Sequence, residues 1–264
     1  MKQLLTFVSV LALILTSCSS ESSSSSSTTG TKLTQIIETF NDGSTETINF
    51  EYNGDKILSY TWDWDSSIQE EAFFTYTGDL ITKEEYFFDD NDPLEAFSEV
   101  TDYEYDTSGR LTKSTRTEND SFGTTITVDN FTYNSNGTVS FTTTENSVLY
   151  ATGTIYFNGN QPFKKVVTED IGTIDEFTYT EENFYDDKVN PFNNVTGFSK
   201  IEIACPTYHY GFYGMPNNVI EIKQDGVSKE TSTYTYNSNN MPATELYIDN
   251  DNNDNNSTSQ YIYN

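Results

Sequence analysis

The stretch Tyr103-Glu104-Tyr105-Asp106-Thr107-Ser108-Gly109-Arg110-Leu111-Thr112-Lys113 decides the fold, because looser copies of it recur along nearly the whole chain. It reads as strand, tight turn, strand. Tyr103 and Tyr105 share one face of a pleat and Asp102 and Glu104 the other, while residues 106–109 supply the polar, left-hand-tolerant backbone that a short hairpin loop requires.

Copies appear at residues 50–57, 74–80, 131–139 and 155–160, in degenerate form at 177–183, and finally at 234–241. Their turn residues Gly54, Gly78, Gly109, Gly137, Gly159 and Asn183 fall 22 to 31 positions apart, room for two strands and one opposite turn per interval. Polar breaks at residues 41–43, 63–67, 89–93, 118–123, 145–147 and 169–172 supply those opposite turns. No stretch after residue 20 sustains a helical period. The prediction is an all-β, up-and-down antiparallel meander of about 15 to 17 strands, strongly curled or closed into a barrel-like sheet. Residues 190–218, with Pro191, Pro206 and Pro216, break the pattern and are expected to form long loops at one rim.

The formal charge is −28 and only 34% of residues are hydrophobic, values that would also suit a disordered chain. Nineteen Tyr and eighteen Phe, alternating with Thr, Ser and Glu, decide against disorder. At roughly 2 kcal/mol for each well-buried ring, half of them would supply the packing of an ordinary domain. The rings are therefore expected inside and Thr, Lys and Glu outside. So acidic a body repels phosphate backbones, which excludes nucleic acid as a partner.

Lys2, the apolar run of residues 4–15 and then Leu15-Thr16-Ser17-Cys18 form an export leader too short for a permanent membrane helix. The tetrapeptide resembles the lipobox of bacterial lipoproteins, which implies cleavage before Cys18 and lipid on its thiol. Ordinary secretory cleavage, with Cys18 a bystander, is the alternative. The expected organisation is residues 1–17 as signal peptide, 18–31 as lipidated Cys and Ser-rich tether, and 32–264 as one repeat-built β domain. The expected location is the outer membrane, by lipid anchor, facing the periplasm or the cell surface. Cys205 is then left without a disulfide partner.

The Tyr103 stretch resembles the tyrosine-aspartate repeats of bacterial RHS-type shell proteins. Taken over residues 32–264, with the lipobox, the phrase Tyr185-Asp186-Asp187-Lys188-Val189-Asn190-Pro191-Phe192 and the closing Tyr-x-Tyr-Asn-Ser-Asn copy, the chain is more similar to a domain-of-unknown-function family of envelope lipoproteins with a porin-like fold. That resemblance implies a barrel-like sheet and no activity. A lipid-embedded porin is not expected, because Thr75, Glu104, Thr132 and Thr178 lie opposite the aromatics where an aliphatic band would be needed, and the last residue is Asn264 rather than an aromatic.

Candidate sites are few. Trp62 and Trp64, the only tryptophans, share a strand face about 7 Å apart, a spacing that suits stacking on sugar rings and equally suits an aromatic core. The loop around Asp249, Asp251 and Asn253 offers oxygen ligands for weak calcium binding, but lacks a calcium loop's turn glycine and distal Glu; a solvated hairpin loop explains it too. Residues 89–92 invite the same two readings. Cys205 and His209, the only histidine, are two ligands short of a zinc site and about 13 Å apart on an extended segment, so they read as structural. No cofactor and no catalytic constellation is visible. The expectation is a binding or structural envelope module for a glycan or peptide. The alternatives are a polysaccharide-active enzyme working through undesignated carboxylates, or a carrier of an apolar ligand should the aromatic interior be hollow.

Overall fold

The computed structural model describes residues 30–64, 67–89, 96–207 and 216–264. Among these, sixteen strands run in chain order: β1 Leu33–Phe40, β2 Thr45–Asn53, β3 Lys56–Trp64, β4 Ser67–Thr77, β5 Leu80–Phe88, β6 Phe97–Tyr105, β7 Leu111–Asp120 and β8 Gly123–Tyr133. They continue as β9 Val139–Glu145, β10 Val148–Asn158, β11 Gln161–Glu169, β12 Phe177–Tyr185, β13 Val219–Gln224, β14 Val227–Tyr236, β15 Pro242–Asp249 and β16 Ser257–Tyr263. Each pairs antiparallel with its neighbours in sequence, and β1 pairs with β16, so the meander closes into a barrel as the repeats predict.

One end, the floor, carries the turns read from the repeats. Gly54, Gly78, Gly109, Gly137 and Gly159 all have φ between 60° and 85°. Asp106, Asn134 and Asn237 open three equivalent turns, each donating its N–H to a carbonyl four residues on, in Arg110, Thr138 and Met241, at 2.9 Å. The side-chain oxygens of Asp106 and Asn237 also accept the N–H two residues later.

Just after the turn, β3, β5, β7, β11 and β15 each carry one extra residue, so that Leu58, Thr82, Thr112, Phe163 and Ala243 are skipped in the pairing. Each bulge inverts the inward face along the returning strand. Just before the bulge, Ile57, Ile81, Leu111 and Pro162 are buried almost completely, at roughly 2–3 kcal/mol for each large aliphatic side chain. Above them, tyrosine hydroxyls tie hairpin to hairpin: Tyr105 donates to the Ile81 carbonyl at 2.5 Å, Tyr263 to Pro242 at 2.8 Å, and Tyr185 to Pro162.

Asn183 is not a turn residue; it is buried within β12 and faces Ile222, because β12 continues past the buried ion pair of Lys165 with Glu181 at 3.1 Å. The hairpin loop at that place is replaced by an insertion whose described residues, 186–207 and 216–218, do not stay at the rim of the floor: the stretch around Phe192 and Phe198 turns inward. Phe198–Ile201 forms a single helical turn, α1, whose Phe198 and Ile201 join Ile57, Phe74 and Ile81 in the core.

The inward face is also more polar than alternation suggests. Glu46, Asp129, Glu169 and Glu181 are buried in the wall, whereas Phe73 and Phe87 pack edge to face on the outside at 6.3 Å. A barrel of sixteen strands is too wide for its side chains to fill, so its upper interior admits water and tolerates acids. Outside, Lys83 pairs with Glu85, Lys113 with Glu104 and Lys164 with Glu182, at 2.7, 2.9 and 3.6 Å.

Candidate functional site

The inserted segment builds the site by plugging only the lower half. Thr196 N–H donates to the Asp55 carbonyl at 2.7 Å, and Lys32, almost fully buried, binds both the Asn194 carbonyl at 3.0 Å and the Asp55 carboxylate at 2.8 Å. Gly197, with φ +80°, presses against the β4–β5 turn so closely that a Cβ would lie 2.9 Å from the Asp79 carbonyl oxygen. Phe192 stacks on Phe198 at 5.1 Å and meets Phe50 edge-on at 5.4 Å.

Above this plug lies a cavity of about 730 Å³. Its aromatic walls include Tyr60, Trp62, Tyr86 and Phe97, and its polar walls include Glu84, Glu99, Glu118 and Glu202. Glu84 accepts the Tyr103 hydroxyl at 2.8 Å, and Glu99 accepts the Thr101 hydroxyl at 3.2 Å and lies 3.6 Å from the Arg116 guanidinium. Burial raises the pKa values of this row, making its members weaker acids. Glu84 is pushed up to about 7, its hydrogen bond from Tyr103 opposing and the nearby Glu99 charge adding to the rise. Glu38, Glu46, Glu70 and Glu99 also move up, chiefly through desolvation.

Trp62 belongs to this wall, its indole N–H donating to Glu46 at 2.7 Å. Trp64 lies further along the same strand, 44% exposed. Cys205 sits on the plug with φ +55° and lines the cavity; burial pushes its thiol up to about 12, far from the range of a thiolate nucleophile. His209, Cys18 and residues 90–92 lie outside the described residues, whereas Asp89 is described and exposed.

In the β15–β16 loop, Asp249 accepts the N–H groups of Asp251 and Asn252 at 2.8 and 2.9 Å and the Asn255 amide at 2.8 Å. Asp251 pairs with Lys229 at 2.7 Å, and Asn253 contributes its carbonyl to Asn41 at 3.0 Å. Among the described residues no three His, Cys, Asp or Glu side chains converge as metal ligands.

Sequence reasoning missed the wall carboxylates, since among forty-one acids a strand such as β5 shows them on both faces, as Glu84 and Glu85 do. Only the bulge at Thr82 tells which of that pair turns inward.

The architecture defines a class: a plugged β-barrel with an aromatic and acidic interior. No family model and no curated protein matches the chain. Among solved structures it is similar to a porin-like protein from Bacteroides uniformis ATCC 8492, at 14% identity over 87% of this chain and 96% of that one, with a TM-score of 0.49. It is similar also to a porin-like protein from Bacteroides vulgatus ATCC 8482, at 14% identity over 89% and 99%, with a TM-score of 0.49.

Proposed function

We propose that this chain is an envelope binding protein that holds a small ligand with an apolar body inside the barrel, between the plug and the far end. The cavity carries the reading. Its volume of about 730 Å³ lies within the range of ligand pockets, and its walls combine ring faces with a few placed polar groups. The role is retention rather than turnover, since the Cys205 thiol is held protonated and the described wall acids serve as acceptors for Tyr103, Thr101 and Trp62.

A lipid on Cys18, at the outer membrane, would complete the arrangement. The described chain enters β1 at the floor, where Lys32 N–H donates to the Asn264 side chain at 2.9 Å, so a tether would hold the plugged end toward the membrane. The far end then faces away from it.

The test is titration of the full chain with 1-N-phenylnaphthylamine, a neutral apolar dye that fluoresces when taken out of water. One molecule should bind per barrel, and Ala204→Trp, which fills the cavity, should weaken it at least tenfold. The exterior variant Phe87→Ala should leave it unchanged. Absence of binding, or sensitivity to Phe87→Ala alone, contradicts the reading.

A further inference from the structure

We propose that the ligand is an organic cation, an ammonium or amidinium group carried on an apolar body, with its charge held against Glu84, Glu99 and the ring faces of Trp62, Tyr86 and Phe97. This rests on the cavity being the binding site and adds the sign of the ligand's charge.

The walls have one polarity. Four carboxylates border the space, and among the described lining residues there is no Lys or Arg. Arg116, which is not among the lining residues, lies 3.6 Å from Glu99 and offsets part of the rise that burial causes there. Aromatic rings reinforce the preference, because their faces carry the negative end of the ring quadrupole and attract a cation within about 6 Å of the centroid.

The acids are also fixed in position. Tyr103 grips Glu84 and Thr101 grips Glu99, on facing positions of β5 and β6, where Glu84 pairs with Thr101 and Tyr86 with Glu99. A ring and a carboxylate therefore alternate across two adjacent strands, which suits a ligand whose apolar part and charge lie side by side. Desolvation raises Glu84 and Glu99, so these acids lack positive partners sufficient to offset their burial, and a bound cation would supply one. Beyond the cavity, a body of charge −28 draws cations inward and repels anions.

Three probes of one shape test the sign: 2-naphthylmethylammonium, 2-naphthylmethanol and 2-naphthoate, titrated calorimetrically into the full chain. The ammonium should bind one per barrel at least tenfold more tightly than the alcohol, with the carboxylate weakest. In Glu84→Gln/Glu99→Gln the ammonium should lose about tenfold and the alcohol less than twofold. The wild-type ranking decides the matter even if that variant folds poorly. If the alcohol or the carboxylate binds as well as the ammonium, or none binds although the neutral dye does, the cation assignment is overturned and the cavity reading stands. If neither the dye nor any of the three binds, the cavity reading itself falls.

Discussion

Glu84 concentrates the physics of the interior in one residue. Its carboxyl is held near 7 in the folded chain, against 4.5 for the ordinary group, so the fold favours its protonated form. The stability this group contributes is complete below about pH 4.5 and is lost as pH rises through 7. Glu38, Glu46, Glu70 and Glu99 act in the same direction. Urea denaturation should therefore give a higher midpoint at pH 5.5 than at pH 8, and Glu84→Gln should remove on the order of 2 kcal/mol of that difference. A midpoint that climbs from pH 5.5 to 8 would contradict the burial of these acids.

At the scale of the element, the hairpins and the plug differ in how far the sequence revealed them. The floor turns were legible because Asp106 and Asn237 each carry a side chain that caps its own loop, as Asn136 does in the turn that Asn134 opens, and because a left-handed position beside them selects Gly or Asn. The bulges were not legible. A skipped residue such as Thr82 has no signature in composition, yet it turns Glu84 inward and Lys83 outward. Asn183 misled because the polar run after Phe177-Thr178-Tyr179 resembles a loop, whereas pairing of residues 177–182 with β11 and of Asn183 with β13 extends the strand. The plug was seen as an interruption but not as an insertion, since Phe192, Val195, Phe198 and Ile201 reveal their common face only once packed on Phe50, Phe74 and Ile81.

Gly197 is where the plug meets the wall, so Gly197→Ala should cost about 1–3 kcal/mol through positive φ and close contact together. It should also speed amide exchange at Thr196, whose N–H is bonded to Asp55. Unchanged stability and exchange would mean that the plug is not seated there.

At the scale of the whole molecule, closure removes the sheet's edges and sixteen strands make a tube wider than its side chains can fill. One end is then packed with the chain's own Phe and Ile, and the remainder is left as an acidic, ring-lined space. The described chain enters at the floor, and the outer ladders there carry charged pairs. Trp62, whose spacing from Trp64 suits a sugar platform or an aromatic core, lines the same space from the inner wall.

Cys205 reports on that space most directly, since it lines the cavity and Cys18→Ser leaves it the only thiol in the full chain. The measurement is its rate of modification by a cationic and an anionic methanethiosulfonate of equal size. Both should react far more slowly than with a free cysteine, in keeping with a thiol pushed up to about 12, the cationic reagent should lead by at least tenfold, and the apolar dye should block both. Rapid modification indifferent to charge and to the dye would contradict an enclosed, acid-walled interior.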